Sequence, residues 1–267
     1  MKKFAILMAL FATLTACTSK KQAENNEPAA TKSLVLYYSQ TNTTKQVAEA
    51  IQQLTGADIE AFDAANPYTG DFGATIARCQ EEMANGTAPE INALKCDIAA
   101  YDTIYLGYPV WFGTYAMPVS GLLKAVDLSG KVIVPFCSFG SGGLNTSTDA
   151  LKQVLPNATF VPGYGVRTAR IAAAKAEVKQ FLINSGIIAG EAVVLPEFSE
   201  QQPVGDAEKA IFDAACSSYN MPLGTPVTCG SRTLANGTEY LFTVEPAAQI
   251  FVTVEEGKDP EFTMVNR

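Results

Sequence analysis

The chain has 267 residues, of which 48% are hydrophobic and 17% are charged, and this composition predicts a globular fold rather than disorder. It carries 19 basic and 27 acidic residues, and the net charge of −8 disfavours binding to nucleic acid or to anionic lipid headgroups. The absence of histidine excludes Ser-His-Asp and Cys-His catalysis and histidine-ligated zinc, so any chemistry is expected to come from a cofactor.

Residues 1–17 have the pattern of a bacterial export signal. Two lysines lie near the start, and residues 4–14 are mostly apolar. A helix of this length, at about 1.5 Å per residue, is too short to cross a bilayer core of about 30 Å, so the run is predicted to be a signal-peptide core. It ends in the sequence LTAC, which resembles the bacterial lipobox and implies a lipid on Cys17. The alternative is an ordinary secretory signal in which Cys17 is an unmodified thiol.

Residues 18–32 are predicted to be a flexible tether, because they are rich in Lys, Gln, Asn, Glu, Pro and Ala. A chain that begins at Cys17 has lost Lys2 and Lys3 and keeps 17 basic and 27 acidic residues, so its only attachment to a membrane would be the lipid. We therefore expect the protein in the cell envelope, lipid-anchored on the periplasmic or surface face of a bacterial membrane.

Residues 33–188 are predicted to form an α/β domain in which strands and helices alternate. Because helices separate the strands, the predicted fold is a doubly wound, five-stranded parallel sheet with helices on both faces. The strand-like segments are 34–38, 57–62, 103–107, 131–137 and 159–162, and the helix-like segments are 44–54, 72–83, 117–126, 144–155 and 171–185.

Beyond this domain the pattern of the sequence changes. Residues 189–205 contain two prolines and two glycines and are predicted to be a linker. Residues 206–267 are predicted to form a small α+β module, with Asp206 as the N-cap of a helix through Cys216 and an antiparallel meander after it. Its three strands are expected at 226–234, 239–245 and 248–254, with Asn236-Gly237 as the first turn. This layout is loosely similar to cystatin-like folds.

The segment after the first predicted strand has the chemistry of a phosphate site. It consists of Ser39-Gln40-Thr41-Asn42-Thr43-Thr44 and leads directly into a helix. Unpaired N–H groups and the helix dipole favour an anion there, and the hydroxyls add donors. The segment is neither a Walker loop nor a dinucleotide fingerprint. The alternative is a threonine-rich helix start that binds no ligand.

Two further loops follow the third and fourth predicted strands. Residues 109–114 (PVWFGT) contain the only tryptophan of the chain, and residues 138–143 (SFGSGG) are rich in glycine. In a doubly wound sheet of order 2-1-3-4-5, the loops after strands 1, 3 and 4 meet at the switch point. A phosphate loop, an aromatic wall and a glycine-rich loop would then lie together, as a flavin requires. Taken singly, the aromatic residues could belong to the core and the glycines to a turn.

These segments resemble the flavodoxin family in the phosphate loop, in GYPVWFG at 107–113, in GKVIVPF at 130–136 and in SFGSGG at 138–143. The phosphate loop departs from the family pattern at Asn42, where glycine is usual. The resemblance covers roughly residues 33–186 and implies non-covalently bound FMN, with residues 66–68 and Arg78 near the flavin. The implied cofactor-binding residues are Ser39, Gln40, Thr41, Asn42, Thr43, Thr44, Pro109, Val110, Trp111, Phe112, Gly113, Thr114, Ser138, Phe139, Gly140, Gly142 and Gly143.

Five cysteines lie beyond the lipobox. Because an exported location permits disulfides, the candidate pairs are Cys216–Cys229 and Cys79–Cys96, with Cys137 left free in a buried strand. The sequence also allows all five to be unpaired. Their wide spacing and the lack of histidine argue against a metal site.

The leading functional hypothesis is a redox protein in which FMN relays electrons to a redox partner protein or a small quinone-like acceptor. An acidic surface suits a basic partner, and the scarcity of reduced nicotinamide outside the cytoplasm favours relay. One alternative is an NAD(P)H-dependent quinone, nitro or azo reductase on the same fold. Another is a non-enzymatic envelope binding module with structural or lost flavin. The sequence leaves the oligomeric state open.

Overall fold

A computed structural model describes residues 32–140, 143–219 and 222–266. The predicted signal peptide with Cys17, the tether up to residue 31 and Gly142 lie outside these residues. Within them, no helix combines the length and the apolar character needed to cross a membrane. The elements are, in chain order, β1 (Ser33–Tyr37), α1 (Thr43–Thr55), β2 (Asp58–Ala61), α2 (Phe72–Ala84), β3 (Thr103–Trp111), β4 (Thr114–Tyr115), α3 (Met117–Ala125), β5 (Val132–Phe139), α4 (Leu144–Val154), β6 (Thr159–Phe160), β7 (Tyr164–Arg167), α5 (Ala174–Asn184), β8 (Gln202–Pro203), α6 (Asp206–Cys216), β9 (Thr225–Leu234), β10 (Gly237–Glu245), β11 (Ala248–Glu255) and β12 (Glu261–Asn266), with 3-10 helices at Ile98–Ala100 and Thr168–Ala173.

The larger sheet has the parallel order β2-β1-β3-β5-β6. This order confirms the predicted doubly wound α/β fold, since β5 and β6 are the fourth and fifth predicted strands. The interior strand β1 is apolar without alternation, and Leu34, Val35 and Leu36 are all at most 1% exposed. Such a run is what a parallel strand covered by helices on both faces requires. The short strand β4 folds back antiparallel on the end of β3.

The fifth predicted strand, 159–162, is shorter than expected, and a further strand that was not predicted, β7, follows it. Both β6 and β7 pair with β5, with Val132 opposite Thr159 and Phe136 opposite Tyr164. Pro162 lies between them, and a proline cannot donate to the ladder. The next residue has to be glycine, because a Cβ on Gly163 would lie 2.4 Å from the carbonyl oxygen of Pro135.

Helix α1 covers one face of the sheet and fixes the direction in which the chain leaves β1. Its apolar residues recur at helical spacing, and Val47, Ala48 and Ile51 are fully buried against the sheet. The helix ends at Gly56, which has a left-handed backbone (φ 70°) and donates its N–H to Gln52 O at 2.8 Å. This C-cap is the conformation that favours glycine.

The C-terminal part is a five-stranded antiparallel sheet of order β12-β11-β10-β9-β8 with α6 packed on it. The predicted helix and meander are present, but two strands were missed. One is β8, which has only two residues and lies in the predicted linker. The other is β12, in which Phe262 and Thr263 are both buried, so its burial does not alternate. The pairing of β11 with β12 shifts register between Phe251 and Val252, which accounts for the interrupted alternation of burial in β12.

The two sheets share one apolar cluster. It joins Leu106 and Leu151 of the α/β part to Phe242, Ile250 and Phe262 of the C-terminal sheet. The C-terminal sheet therefore completes the burial of the α/β part on one side, in addition to having its own apolar face.

The cysteines give a correction, because neither predicted disulfide forms. Cys79 is buried in an apolar cluster, and this burial raises the pKa of its thiol to about 11. Cys96 lies elsewhere, beside Glu60. Burial, together with a hydrogen bond to Glu60, raises the pKa of the Cys96 thiol to about 12. Cys79 therefore acts as a small apolar group, and Cys96 as a hydrogen-bonded thiol, rather than as the two ends of a crosslink. All five are free thiols, namely Cys79, Cys96, Cys137, Cys216 and Cys229.

Truncation of Phe242 should destabilise both sheets together. Phe242 is fully buried, and its ring centroid lies 5.2 Å from that of Phe212. Phe242→Ala should lower the free energy of unfolding by about 3–5 kcal/mol in urea titrations. Because the apolar cluster is shared, the loss should be the same by Trp111 fluorescence and by far-UV circular dichroism. The matched control is Phe72→Ala, since Phe72 is 81% exposed and its loss should cost less than about 0.5 kcal/mol. If the urea midpoint measured by Trp111 fluorescence were the same in Phe242→Ala as in the parent, a shared core would be contradicted.

Candidate cofactor site

The loop between β1 and α1 presents unpaired backbone N–H groups. Its turn depends on Asn42, the N-cap of α1, which has a left-handed backbone (φ 62°, ψ 4°) and makes no side-chain capping bond. Among the described residues, none accepts a hydrogen bond from the backbone N–H groups of residues 40–44. These groups and the helix dipole are the elements of an anion site.

The hydroxyls of this loop have different surroundings. Ser39 Oγ accepts the N–H of Lys45 at 3.1 Å, and Thr41 Oγ1 lies 3.3 Å from Thr43 Oγ1. Thr44 is 1% exposed, and its Oγ1 lies 2.8 Å from Ser138 Oγ. Thr44 therefore connects the predicted phosphate loop to the glycine-rich loop after β5. Thr41 and Thr43 lie at the N-terminal end of α1.

The aromatic loop is a tight hairpin between β3 and β4. Its two central residues, Phe112 and Gly113, both have positive φ (50° and 79°), as a type I′ hairpin turn requires. Trp111 pairs with Thr114 across the hairpin, and Ala116 N–H donates to Pro109 O at 3.1 Å, so the loop is fixed at its base. Val110 lies opposite Tyr115 in the same hairpin. The ring of Phe112 is 51% exposed at the tip.

The glycine-rich loop begins beside the aromatic loop, because Ser138 of β5 lies opposite Pro109 of β3 in the sheet. The ring of Phe139 is 2% exposed and belongs to the core, so only the backbone of this residue can border a ligand. Gly140 continues the loop, and Gly143 is the N-cap of α4. A Cβ on Gly143 would lie 2.6 Å from the carbonyl oxygen of Val265.

A second layer of side chains supports Trp111. The ring of Trp111 lies edge-on to Tyr38 at 5.7 Å and to Tyr68 at 5.3 Å between centroids. The Tyr38 hydroxyl donates to Gln40 Oε1, and Gln40 Nε2 donates to Tyr68 O at 2.8 Å. The amide of Gln40 therefore holds the first loop against the aromatic pair.

Arg78 and Glu82 of α2 fix Tyr68 in turn. The Arg78 guanidinium lies 3.8 Å from the Tyr68 ring centroid, and its Nε donates to Glu82 Oε1 at 2.9 Å. The Tyr68 hydroxyl donates to the other carboxylate oxygen of Glu82. Burial raises the pKa of Tyr38 and of Tyr68, and for Tyr68 the bond to Glu82 adds to the rise. Both phenols are therefore protonated at neutral pH and act as hydrogen-bond donors.

The structure brings the three predicted loops to one edge of the sheet. Tyr38 and Glu82 were missed at the sequence level, although Glu82 follows Arg78 by four residues, the spacing of a helical ion pair. Tyr38 gave no separate signal, since it ends an apolar strand. Cys17 and Gly142 lie outside the described residues, so their predicted roles stay predictions.

A model of the flavodoxin family matches residues 32–184. The chain belongs to the flavodoxin family, and the C-terminal sheet lies outside the matched segment. No curated protein matches the chain.

Several solved structures are similar in fold. A protein assigned as a flavoprotein from Bacteroides uniformis is 25% identical, with a TM-score of 0.50, over 56% of this chain and 98% of that chain. One from Bacteroides eggerthii is 28% identical, with a TM-score of 0.47, over 55% and 98% of the two chains. A flavoprotein in complex with FMN from Lactobacillus acidophilus is 22% identical, with a TM-score of 0.46, over 51% and 93%.

Membership of this family confirms FMN as the predicted cofactor, and the described residues fit it. The free N–H groups of residues 40–44, with Thr41 and Thr43, can hold the phosphate without a lysine or arginine in the loop. Trp111 and the hairpin supply an aromatic wall, and residues 138–140 supply backbone groups for the polar edge of the ring. Bound FMN supplies one- and two-electron transfer, which none of these side chains provides.

The left-handed backbone of Asn42 should control FMN affinity. In Asn42→Val a β-branched residue has to adopt positive φ when FMN is bound, at a cost of about 1–3 kcal/mol relative to a relaxed FMN-free loop, so FMN binding should weaken by about 5-fold to 150-fold. Asn42→Gly is the matched control, because glycine adopts this conformation without strain and should bind FMN within about threefold of the parent. Quenching of flavin fluorescence on titration measures both. Equal affinities of the two variants would show that the N-cap geometry does not hold the phosphate.

Proposed function

We propose that the protein is an FMN-dependent electron carrier of the cell envelope, lipid-anchored through Cys17, which relays electrons between redox partners. The observation that supports this proposal is that Tyr38, Tyr68 and Glu82, the titratable side chains described around Trp111, are all engaged in hydrogen bonds. Tyr38 and Tyr68 hold their protons because burial raises the pKa of each, and the carboxylate of Glu82 is engaged by Tyr68 and Arg78. A site built in this way positions a flavin and transfers electrons without a side chain that transfers protons to a substrate.

Access and charge also favour relay. The Phe112 ring lies 51% exposed at the tip of the hairpin whose base borders the flavin site, so a partner protein can approach this edge. The net charge of −8 favours a basic partner and predicts an association rate that falls with ionic strength. Export would put the domain where reduced nicotinamide is scarce, which disfavours the NAD(P)H-dependent reductase.

The relay is tested with anaerobically photoreduced holoprotein. Mixed with a basic haem protein, it should be reoxidised rapidly at low salt and more slowly as salt rises, because the attraction between the two proteins is screened. An acidic haem protein of similar potential is the matched control and should react slowly at every salt concentration. Sustained consumption of NADH or NADPH with a quinone, at a rate above that of free FMN, would instead establish the reductase.

The anchor is tested separately. When the full chain is expressed in a bacterium supplied with labelled palmitate, it should acquire the label and sediment with membranes, whereas Cys17→Ser should do neither. A parent protein that is exported without label would show an ordinary secretory signal, and the proposed electron relay would then act without an anchor.

A further inference from the structure

The last strand of the chain, β12, lies against the glycine-rich loop of the flavin site. Gly143 ends that loop, and a Cβ at this position would lie 2.6 Å from the carbonyl oxygen of Val265 in β12. The two backbones approach so closely that only glycine fits. One end of the flavin loop therefore rests on the C-terminal sheet, which lies outside the segment matched by the family model.

Arg167 makes a second connection between the same two segments. It ends β7, opposite Phe139 of β5. Its guanidinium Nη1 donates to Phe262 O of β12 at 2.6 Å, and its Nε lies 3.4 Å from Gly140 O in the flavin loop. The guanidinium also lies 3.7 Å from the ring centroid of Phe262. One side chain thus spans from the loop to the last strand.

The chemistry of Arg167 suits a bridge between two carbonyl groups. A guanidinium has donors in a rigid fork and can satisfy two acceptors at once, which a lysine cannot do in a fixed geometry. Burial lowers the pKa of Arg167, but an arginine stays charged in proteins. The neighbouring Arg170 differs, since it pairs with Glu177 at 2.6 Å and with Glu261 of β12 at 3.0 Å and so connects to β12 without a bond to the loop.

We propose that Arg167 is a positioning residue for FMN, which holds the Gly140 end of the flavin loop against β12 and so makes the C-terminal sheet a structural part of the flavin site. The proposal rests on FMN binding by this site. Because coupling between two sites is reciprocal, FMN bound at the loop should stabilise β12 to the degree that β12 strengthens FMN binding.

The affinity test compares three variants of the full mature protein by titration with FMN. Arg167→Gln removes the fork and the charge and should weaken FMN binding by about tenfold or more. Arg167→Lys keeps the charge but can reach only one carbonyl, so its affinity should fall between those of Arg167→Gln and the parent. Glu261→Gln is the matched control, because it weakens the ion pair between β12 and Arg170 without touching the loop, and it should bind FMN within about twofold of the parent.

The reciprocal effect is measured by hydrogen exchange of the β12 amides. In the parent, saturation with FMN should slow the exchange of residues 261–266, and in Arg167→Gln it should not, even where the apoprotein of this variant is fully folded. The amides of β9 provide an internal reference, because this strand pairs with β10 and β8 and not with β12. A merely structural role for Arg167 would lower the unfolding temperature of the apoprotein and leave both the FMN affinity and the FMN-dependent protection unchanged.

Two results overturn the inference while the proposed function stands. One is a parent that binds FMN and an Arg167→Gln variant that binds it equally well. The other is a Glu261→Gln variant that loses as much affinity as Arg167→Gln, because general loosening of β12 would then be the cause. A parent that binds no FMN at all would contradict the cofactor itself, and that result is distinct from both.

Discussion

The parallel pairing of β1, β3 and β5 is the constraint on which the site depends. All three strands run in the same direction and are covered on both faces, so all three end at one edge of the sheet. The register sets Tyr37 opposite Gly107 and Pro109 opposite Ser138. A slip by one residue would reverse the faces of every side chain and is therefore strongly disfavoured. The phosphate loop, the aromatic hairpin and the glycine-rich loop meet because of this pairing, and the Thr44–Ser138 hydrogen bond then fixes the first loop to the third.

The C-terminal sheet changes what surrounds this edge. Its apolar face continues the core of the α/β part through Phe242, Ile250 and Phe262. Its last strand contacts the glycine-rich loop directly, at Gly143 and through Arg167. Through the shared core and these contacts, the stability of the C-terminal sheet affects the conformation of the glycine-rich loop that borders the cofactor. Two of the free thiols agree with this view, since Cys137 and Cys229 are buried in the shared core rather than crosslinked.

Much of the fold and of the site could be predicted from the sequence, because local signals agree with the final structure. Helix α6 ends at Cys216 as predicted but starts one residue early, because Gly205 is its N-cap and the predicted N-cap, Asp206, is its first residue. Asp206 and Glu208 in the first turn favour this start. The three loops follow from strand ends and turn residues. The rest depends on contacts distant in sequence. The strand β12 lacks a period of two, the ring of Phe139 turns into the core although its neighbours line the loop, and the role of Arg167 exists only once β12 lies beside it. The pairing of cysteines likewise depends on geometry that spacing does not contain.

The measurement that tests the central claim most directly is the visible absorption spectrum of the mature protein after incubation with FMN and desalting. If the three loops form a flavin site, the protein should keep one FMN per chain, with flavin bands whose shape differs from that of free FMN because the ring lies against Trp111 in an apolar wall. A correctly folded protein that elutes colourless would contradict the account, because the free N–H groups of residues 40–44 and the aromatic hairpin would then have no cofactor to hold.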